Sequence, residues 1–343
     1  MPEMFDKPQE TKGVETKATD AVLPVRPDET DTGAGLRRCV LANGMEVAYQ
    51  SKAELAHFYE DIFEKQVYLK HGVTLHEGEC VFDVGSNIGL FTLFTHRKVN
   101  NLRIYAFEPA PPLFRILSFN TALHKVNVKL FNCGVSNEAK TATFTFYPQS
   151  SGMSSFYADK QEEKEALRAI MLNQLHTGME GMEQLMQHAE DLLEARFKSE
   201  SFECRLRPLS EIIREEGVER IDLMKIDVQK SELDVLEGLD AADWPKVRQI
   251  VIEVHDLAGR LNQITTLLKE RGFNVRVEQD DMYEGSILYN LFAVRPASMD
   301  ASWKPALTPA APPSFQQIHD RAKKQEAALN QQKQQMKLRR KGL

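Results

Sequence analysis

The chain has 343 residues, 42% of them hydrophobic, enough to bury one large core or two smaller ones. Its 43 Lys/Arg and 50 Asp/Glu leave a net charge of −7, but from His319 onward eight Lys/Arg face only Asp320 and Glu326; an acidic body, which argues against nucleic-acid binding, thus precedes a basic tail. No run of about 18 apolar residues exists to span a membrane, the polar N-terminus has no signal-peptide core, and Cys39, Cys80, Cys133 and Cys204 form no CxxC pair or disulfide framework, which suits a reducing cytoplasm.

Residues 1–35 mix Pro, Thr, Glu, Asp and Lys with few large apolar groups and read as a disordered extension. Residues 36–50 read as a hairpin turning at Asn43-Gly44. Lys52 to Lys70 reads as one helix, with Leu55, Phe58, Tyr59, Ile62 and Phe63 at helical spacing. From Cys80 strands and helices alternate. Strands are expected at 80–84, 103–107, 128–132, 221–226 and 248–254, and helices near 88–97, 111–123, 208–216, 231–239 and 258–271. That alternation predicts an α/β fold with a mostly parallel sheet covered on both faces. Two last strands, 273–278 and 287–294, are joined by the short loop Gln279–Ser286, which predicts an antiparallel edge. Thr141–Tyr147 and Phe202–Leu206 read as an added strand pair.

Residues 150–200 interrupt the pattern. Gln161 to Arg196 is charged, Met-rich and helical in character, carrying Met171, Met179, Met182 and Met186. Insertions of this length cover sites or bind partners, so a lid is expected here. A single α/β domain therefore spans 36–296. Pro and Ala dominate 297–313, a linker composition, and 314–343 is a basic, helix-prone tail.

The most informative stretch is Val81-Phe-Asp-Val-Gly-Ser-Asn-Ile-Gly-Leu-Phe-Thr92. An apolar strand ends at Asp83, Gly85 and Gly89 allow a tight turn, and a helix follows whose first amides point into the turn. A dinucleotide loop needs G-x-G-x-x-G. Here Asn87 stands where a pyrophosphate needs glycine, and Asp83 would repel it. A cationic amino-acid cofactor suits the acid better. Glu108 ends the next strand, the place of an acid that takes ribose hydroxyls. Asp227 and His255 end the fourth and fifth strands, neighbours about 4.8 Å apart, so both are expected to face one pocket. Histidine titrates near neutrality and can take a hydroxyl proton; Asp227, Glu232 and Asp256 are the candidates to orient its ring. Lys225 alternates with Asp227 and reads as a structural ion-pair partner. Tyr59 and Tyr68 are placed to cover a cationic cofactor. Asp227, Glu253, His255 and Asp256 include oxygen ligands, but no metal-ligand spacing is present and no metal is expected.

Together with Phe63-Glu-Lys-Gln-Val-Tyr-Leu-Lys-His-Gly72, Ala106-Phe-Glu-Pro109, Asn132-Cys-Gly-Val-Ser136 and Ile221-Asp-Leu-Met-Lys-Ile-Asp-Val228, the loop makes residues 52–294 resemble the FkbM family of class I methyltransferases. Ile250-Val-Ile-Glu-Val-His-Asp256 and Leu288-Tyr-Asn-Leu-Phe-Ala293 add a similarity to O-methyltransferase domains of polyketide and nonribosomal peptide assembly lines. The resemblance implies a Rossmann-like seven-stranded sheet, S-adenosylmethionine as donor, and methylation of a hydroxyl, often on a carrier-tethered intermediate. It implies that Asp83, Gly85, Ser86, Asn87 and Gly89 hold the methionine half, that Glu108 holds the ribose, and that the turn with Asn132 and Cys133 meets the adenine. One departure stands out. The family commonly reads Asp-Val-Glu-Gly where this chain has Asp227-Val-Gln-Lys230. The basic tail lies outside the resemblance, and charge complementarity would let it dock an acidic carrier protein. A free small molecule or sugar as acceptor, and an inactive module docked on a synthase, are the alternatives.

Overall fold

The structure is a computed structural model and describes residues 35–165, 167–168, 189–280 and 283–296. These all lie in the unit Met1–Met299; a second unit, Asp300–Leu343, falls outside them. The expected N-terminal extension, the linker, the basic tail and the methionines of the insertion also lie outside the described residues.

The chain enters through the hairpin β1 (Arg38–Val40) and β2 (Glu46–Ala48), paired antiparallel across Asn43-Gly44. Helix α1 (Lys52–Tyr59) follows, then one π turn (Glu60–Glu64). The long helix expected through Lys70 therefore stops early. Lys65 N–H donates to Glu60 O, one residue wider than an α turn, and Gln66 takes a left-handed φ of 50°. Val67, Tyr68 and Leu69 still pack on the core, which is why their spacing imitates a helical face.

The central sheet contains β3 (Cys80–Val84), β4 (Arg103–Phe107), β5 (Val128–Phe131), β9 (Leu223–Ile226), β10 (Gln249–His255), β11 (Asn274–Glu278) and β12 (Leu288–Val294). Its order is β11-β12-β10-β9-β3-β4-β5. Within it β12 pairs antiparallel with both β10 and β11, while β10-β9-β3-β4-β5 pair in parallel. Successive side chains of a strand face opposite ways, and the core follows that rule. Val81, Leu223, Val251 and Phe292 join one apolar layer; Phe82, Met224, Ile252 and Leu291 join the other. The first layer is covered by α1, α2 (Leu90–Lys98) and α3 (Pro111–Leu123). Residues of α5 (Leu209–Glu215), α6 (Glu232–Glu237) and α7 (Arg260–Glu270) fill the second.

The expected added pair is real and has a third member. Strands β6 (Gly134–Val135), β7 (Lys140–Phe146) and β8 (Glu200–Arg207) form a separate sheet of order β6-β8-β7. Two helical pieces of the insertion are described, residues 160–165 and α4 (Ala189–Arg196). Lys160 and Lys164 both pair with Glu194 and so join them.

Candidate active site

Because β3, β9 and β10 run in parallel, their carboxyl ends open on one side. A cavity of about 480 Å³ lies there, within the range of small-ligand pockets. The register brings the polar residues together on one face. Asp83 pairs with Lys225 and Lys225 with Val251, so Glu253 and His255, two and four residues further, continue that face.

The Gly-rich turn after β3 is tight for a specific reason. Gly85 has φ +80°, and a Cβ there would sit 1.8 Å from the main-chain oxygen of Asp227. The turn and the end of β9 touch backbone to backbone. Lys225 Nζ donates to Gly85 O at 2.6 Å from beneath. The turn's amides are all committed inside the protein: Gly85 and Ser86 N–H donate to Phe107 O, Gly89 N–H to Ser86 O, Asn87 N–H to Glu108 Oε2, and Ile88 N–H to Asn87 Oδ1. The amides of residues 85–89 are thus spent within the protein. The carbonyl end of β4 lies close enough to take the first two of them.

Glu108 is buried, and its two oxygens accept the N–H groups of Asn87 (2.8 Å) and Ala110 (2.9 Å). Burial raises its pKa to about 7, against those two bonds. Each oxygen keeps a second lone pair, and the residue lines the cavity. Gly85, Ser86, Asn87 and Cys133 line it too. Three expected cofactor residues do not. Asp83 is fully buried, its carboxylate taken by Thr92 Oγ1 (2.7 Å) and by Lys225 (3.4 Å). Gly89 caps α2 and packs against Leu117. Asn132 is exposed and spends its amide on the carbonyls of Glu108 and Pro109.

Both expected catalytic residues face the cavity. His255 Nδ1 lies 2.7 Å from Glu232 Oε1, and Glu232 is fully buried. Of the three candidate orienting acids, Glu232 is thus the partner. Arg260 Nη1 donates to its other oxygen at 3.2 Å. Burial pushes the His255 pKa down, but Glu232, then Glu253 and Asp227, outweigh it and leave it raised. Asp227 Oδ2 accepts from the Tyr68 hydroxyl (2.9 Å) and lies 3.5 Å from Lys225 Nζ. Burial and Asp227 push Glu253 up to about 7, and Gln229 Nε2 donates to it at 3.2 Å. Tyr68 lines the cavity, anchored by its hydroxyl, while Tyr59 stacks on Phe63 in the core. Lys225 is the ion-pair partner expected of it, buried between Asp83 and Asp227. Among the described residues no cluster of acids, His and Cys is arranged to hold a metal.

Sequence reading passed over Arg260 and Tyr283, which reaches the cavity from the loop before β12. An arginine opening the helix after the His255 strand was the one available signal for the former. No local pattern marks the latter.

A seven-stranded sheet with one antiparallel strand next to its edge, a Gly-turn after β3 and an acid ending β4 define a Rossmann-like class I methyltransferase fold. The family described as Methyltransferase FkbM domain matches residues 83–275. The protein belongs to the FkbM methyltransferase family. It is 41% identical over 257 residues to the 31-O-demethyl-FK506 methyltransferase FkbM of Streptomyces tacrolimicus, covering 75% of this chain and 96% of that one. It is also 41% identical over 263 residues to the AMB antimetabolite synthetase AmbE of Pseudomonas aeruginosa, covering 75% of this chain but 12% of that much longer one. A solved FkbM methyltransferase from Methylobacillus flagellatus KT aligns at 12% identity and a TM-score of 0.42, over 68% of this chain and 47% of that one. No helix among the described residues is long and apolar enough to cross a membrane.

Proposed function

We propose that this chain is an S-adenosylmethionine-dependent O-methyltransferase acting on a hydroxyl of a carrier-tethered polyketide or peptide intermediate. The observation that carries it is the His255–Glu232 pair, 2.7 Å apart, set in the same cavity as Glu108 and the Gly85 turn. The residues fit the cofactor. The turn has no free amide to cradle a pyrophosphate, whereas Glu108 keeps lone pairs for ribose hydroxyls and Asp227 faces the cavity as an acid suited to a cationic centre.

When bound, the cofactor supplies an electrophilic methyl on a positively charged leaving group. The chain aligns the acceptor and receives its proton. Neutral His255 takes the hydroxyl proton on Nε2, because Nδ1 is held by Glu232. Glu232 fixes the ring and stabilises the imidazolium that results; Arg260 fixes Glu232 in turn. Tyr68 and Lys225 hold Asp227 at the cofactor side. A carrier-bound acceptor draws support from the match to a segment of a synthetase, and the basic tail supplies charge for an acidic carrier.

A second reading, a free small-molecule acceptor, is favoured by the near full-length match to a relative named for a small-molecule substrate. Radiolabelled methyl transfer to matched hydroxy substrates, one on a carrier protein and one free, separates the two. His255→Ala is expected to lower turnover about 10²–10⁴-fold with cofactor affinity kept. Near-normal turnover of that variant would remove His255 from the mechanism, and tight nicotinamide binding with none of the sulfonium nucleoside would end the proposal.

A further inference from the structure

Gln229 and Lys230 have φ of +44° and +72°, a region side chains disfavour. This chain accepts that conformation and points an ammonium inward. Lys230 is 6% exposed, and Nζ bonds Glu162 Oε2 at 2.8 Å and Glu163 Oε1 at 3.1 Å. Both acids belong to the insertion, in the helical residues 160–165. Glu163 is 4% exposed, so this pair is shielded from solvent and salt.

The main chain of the same residue reaches the other way. Lys230 N–H donates to Glu232 Oε1 at 2.9 Å, and Lys230 O accepts from Arg260 Nη1 at 2.7 Å. Glu232 Oε1 is the atom beside His255. One turn therefore holds residues 160–165 with its side chain and the proton-accepting pair with its backbone. Ser155 Oγ adds a bond to Gln229 O from the start of the insertion. Lys230, Glu162, Glu163 and His255 all line the cavity.

We propose that Lys230 is a positioning residue for the acceptor: its ammonium seats residues 160–165 against the cavity beside the His255–Glu232 pair. The link to the acceptor rests on the functional reading above; the seating itself does not.

Three variants test it: Lys230→Met, Glu162→Gln with Glu163→Gln, and Lys230→Arg. Hydrogen exchange of residues 160–165 is read first, in cofactor-free protein. Lys230→Met and the double variant are expected to exchange there about tenfold faster, with the central strands unchanged, and Lys230→Arg to stay within about threefold of the parent. The double variant leaves the strained turn intact, so it decides the matter if Lys230→Met does not fold. Acceptor KM is expected to rise about tenfold in both, with cofactor Kd unchanged. Unchanged exchange at 160–165, faster exchange everywhere, or a fall in kcat at constant KM would each overturn the proposal. If the parent protein transfers no methyl group, the functional reading fails, while the exchange data still decide whether Lys230 seats residues 160–165.

Discussion

Gly85→Ala tests the central contact of the site. A Cβ at this position would lie 1.8 Å from Asp227 O and 2.8 Å from its carbonyl carbon. Both atoms are backbone, so no rotamer change relieves them. Overpacking of this kind costs about 1–3 kcal/mol, and a side chain held at φ +80° costs about 1–2 kcal/mol more. The variant should lose about 2–5 kcal/mol in urea unfolding. Gly217→Ala is the control. Gly217 has φ +60° but nothing within 4 Å of the added atom, so it should lose only the conformational part, about 1–2 kcal/mol. The gap between the two variants isolates the clash. Because relief requires the end of β9 to retreat, Asp227 moves with it, and calorimetric cofactor affinity should fall in Gly85→Ala alone. Equal destabilisation of the two variants, to within about 0.5 kcal/mol, would refute the backbone contact between the turn and β9.

Three further outcomes follow from the same geometry. Glu232→Gln removes the charge that holds the His255 pKa up against burial; since the base must be neutral, turnover in the parent rises with pH through that raised midpoint, and the variant's midpoint should move to lower pH with turnover down about 10²–10⁴-fold. An unmoved midpoint in the pH–rate profile would contradict the pairing. Glu108 and Glu253 both ionise near about 7 in the fold, against an ordinary 4.5, so the folded state holds more protons between those values; urea stability should fall by a few kcal/mol, roughly, from pH 4.5 to 7 and then level off, and a flat profile there would show the two carboxyls to be solvated. Tyr68→Phe deletes the 2.9 Å bond to Asp227 at about 1 kcal/mol; cofactor Kd should weaken about fivefold with His255 titration unchanged, and an unaltered Kd would detach Asp227 from the cofactor.

Strand ends were legible because their chemistry is local. Asp83, Glu108, Asp227 and His255 each close an apolar run, and a parallel sheet sends all such ends to one side. What each end touches was not legible. Asp83 reads as a cofactor ligand but sits beside Lys225, in register on the next strand, and that partner lies 142 positions away in the chain. The helix from Lys52 failed for a related reason: Val67 and Tyr68 are apolar because the core needs them, whatever their backbone does.

Local order thus reaches as far as periodicity and punctuation do: the alternating strands and helices, the tight turn at Gly85, the hairpin at Asn43-Gly44. Long-range pairing decided the rest. Only the folded sheet chose Glu232 over Asp227 and Asp256 as the partner of His255, spent the turn's amides on Phe107 and Glu108, and gave Lys230 two acids from the insertion. Hydrogen bonds and ion pairs act over about 3 Å, a distance that spacing along a chain does not encode.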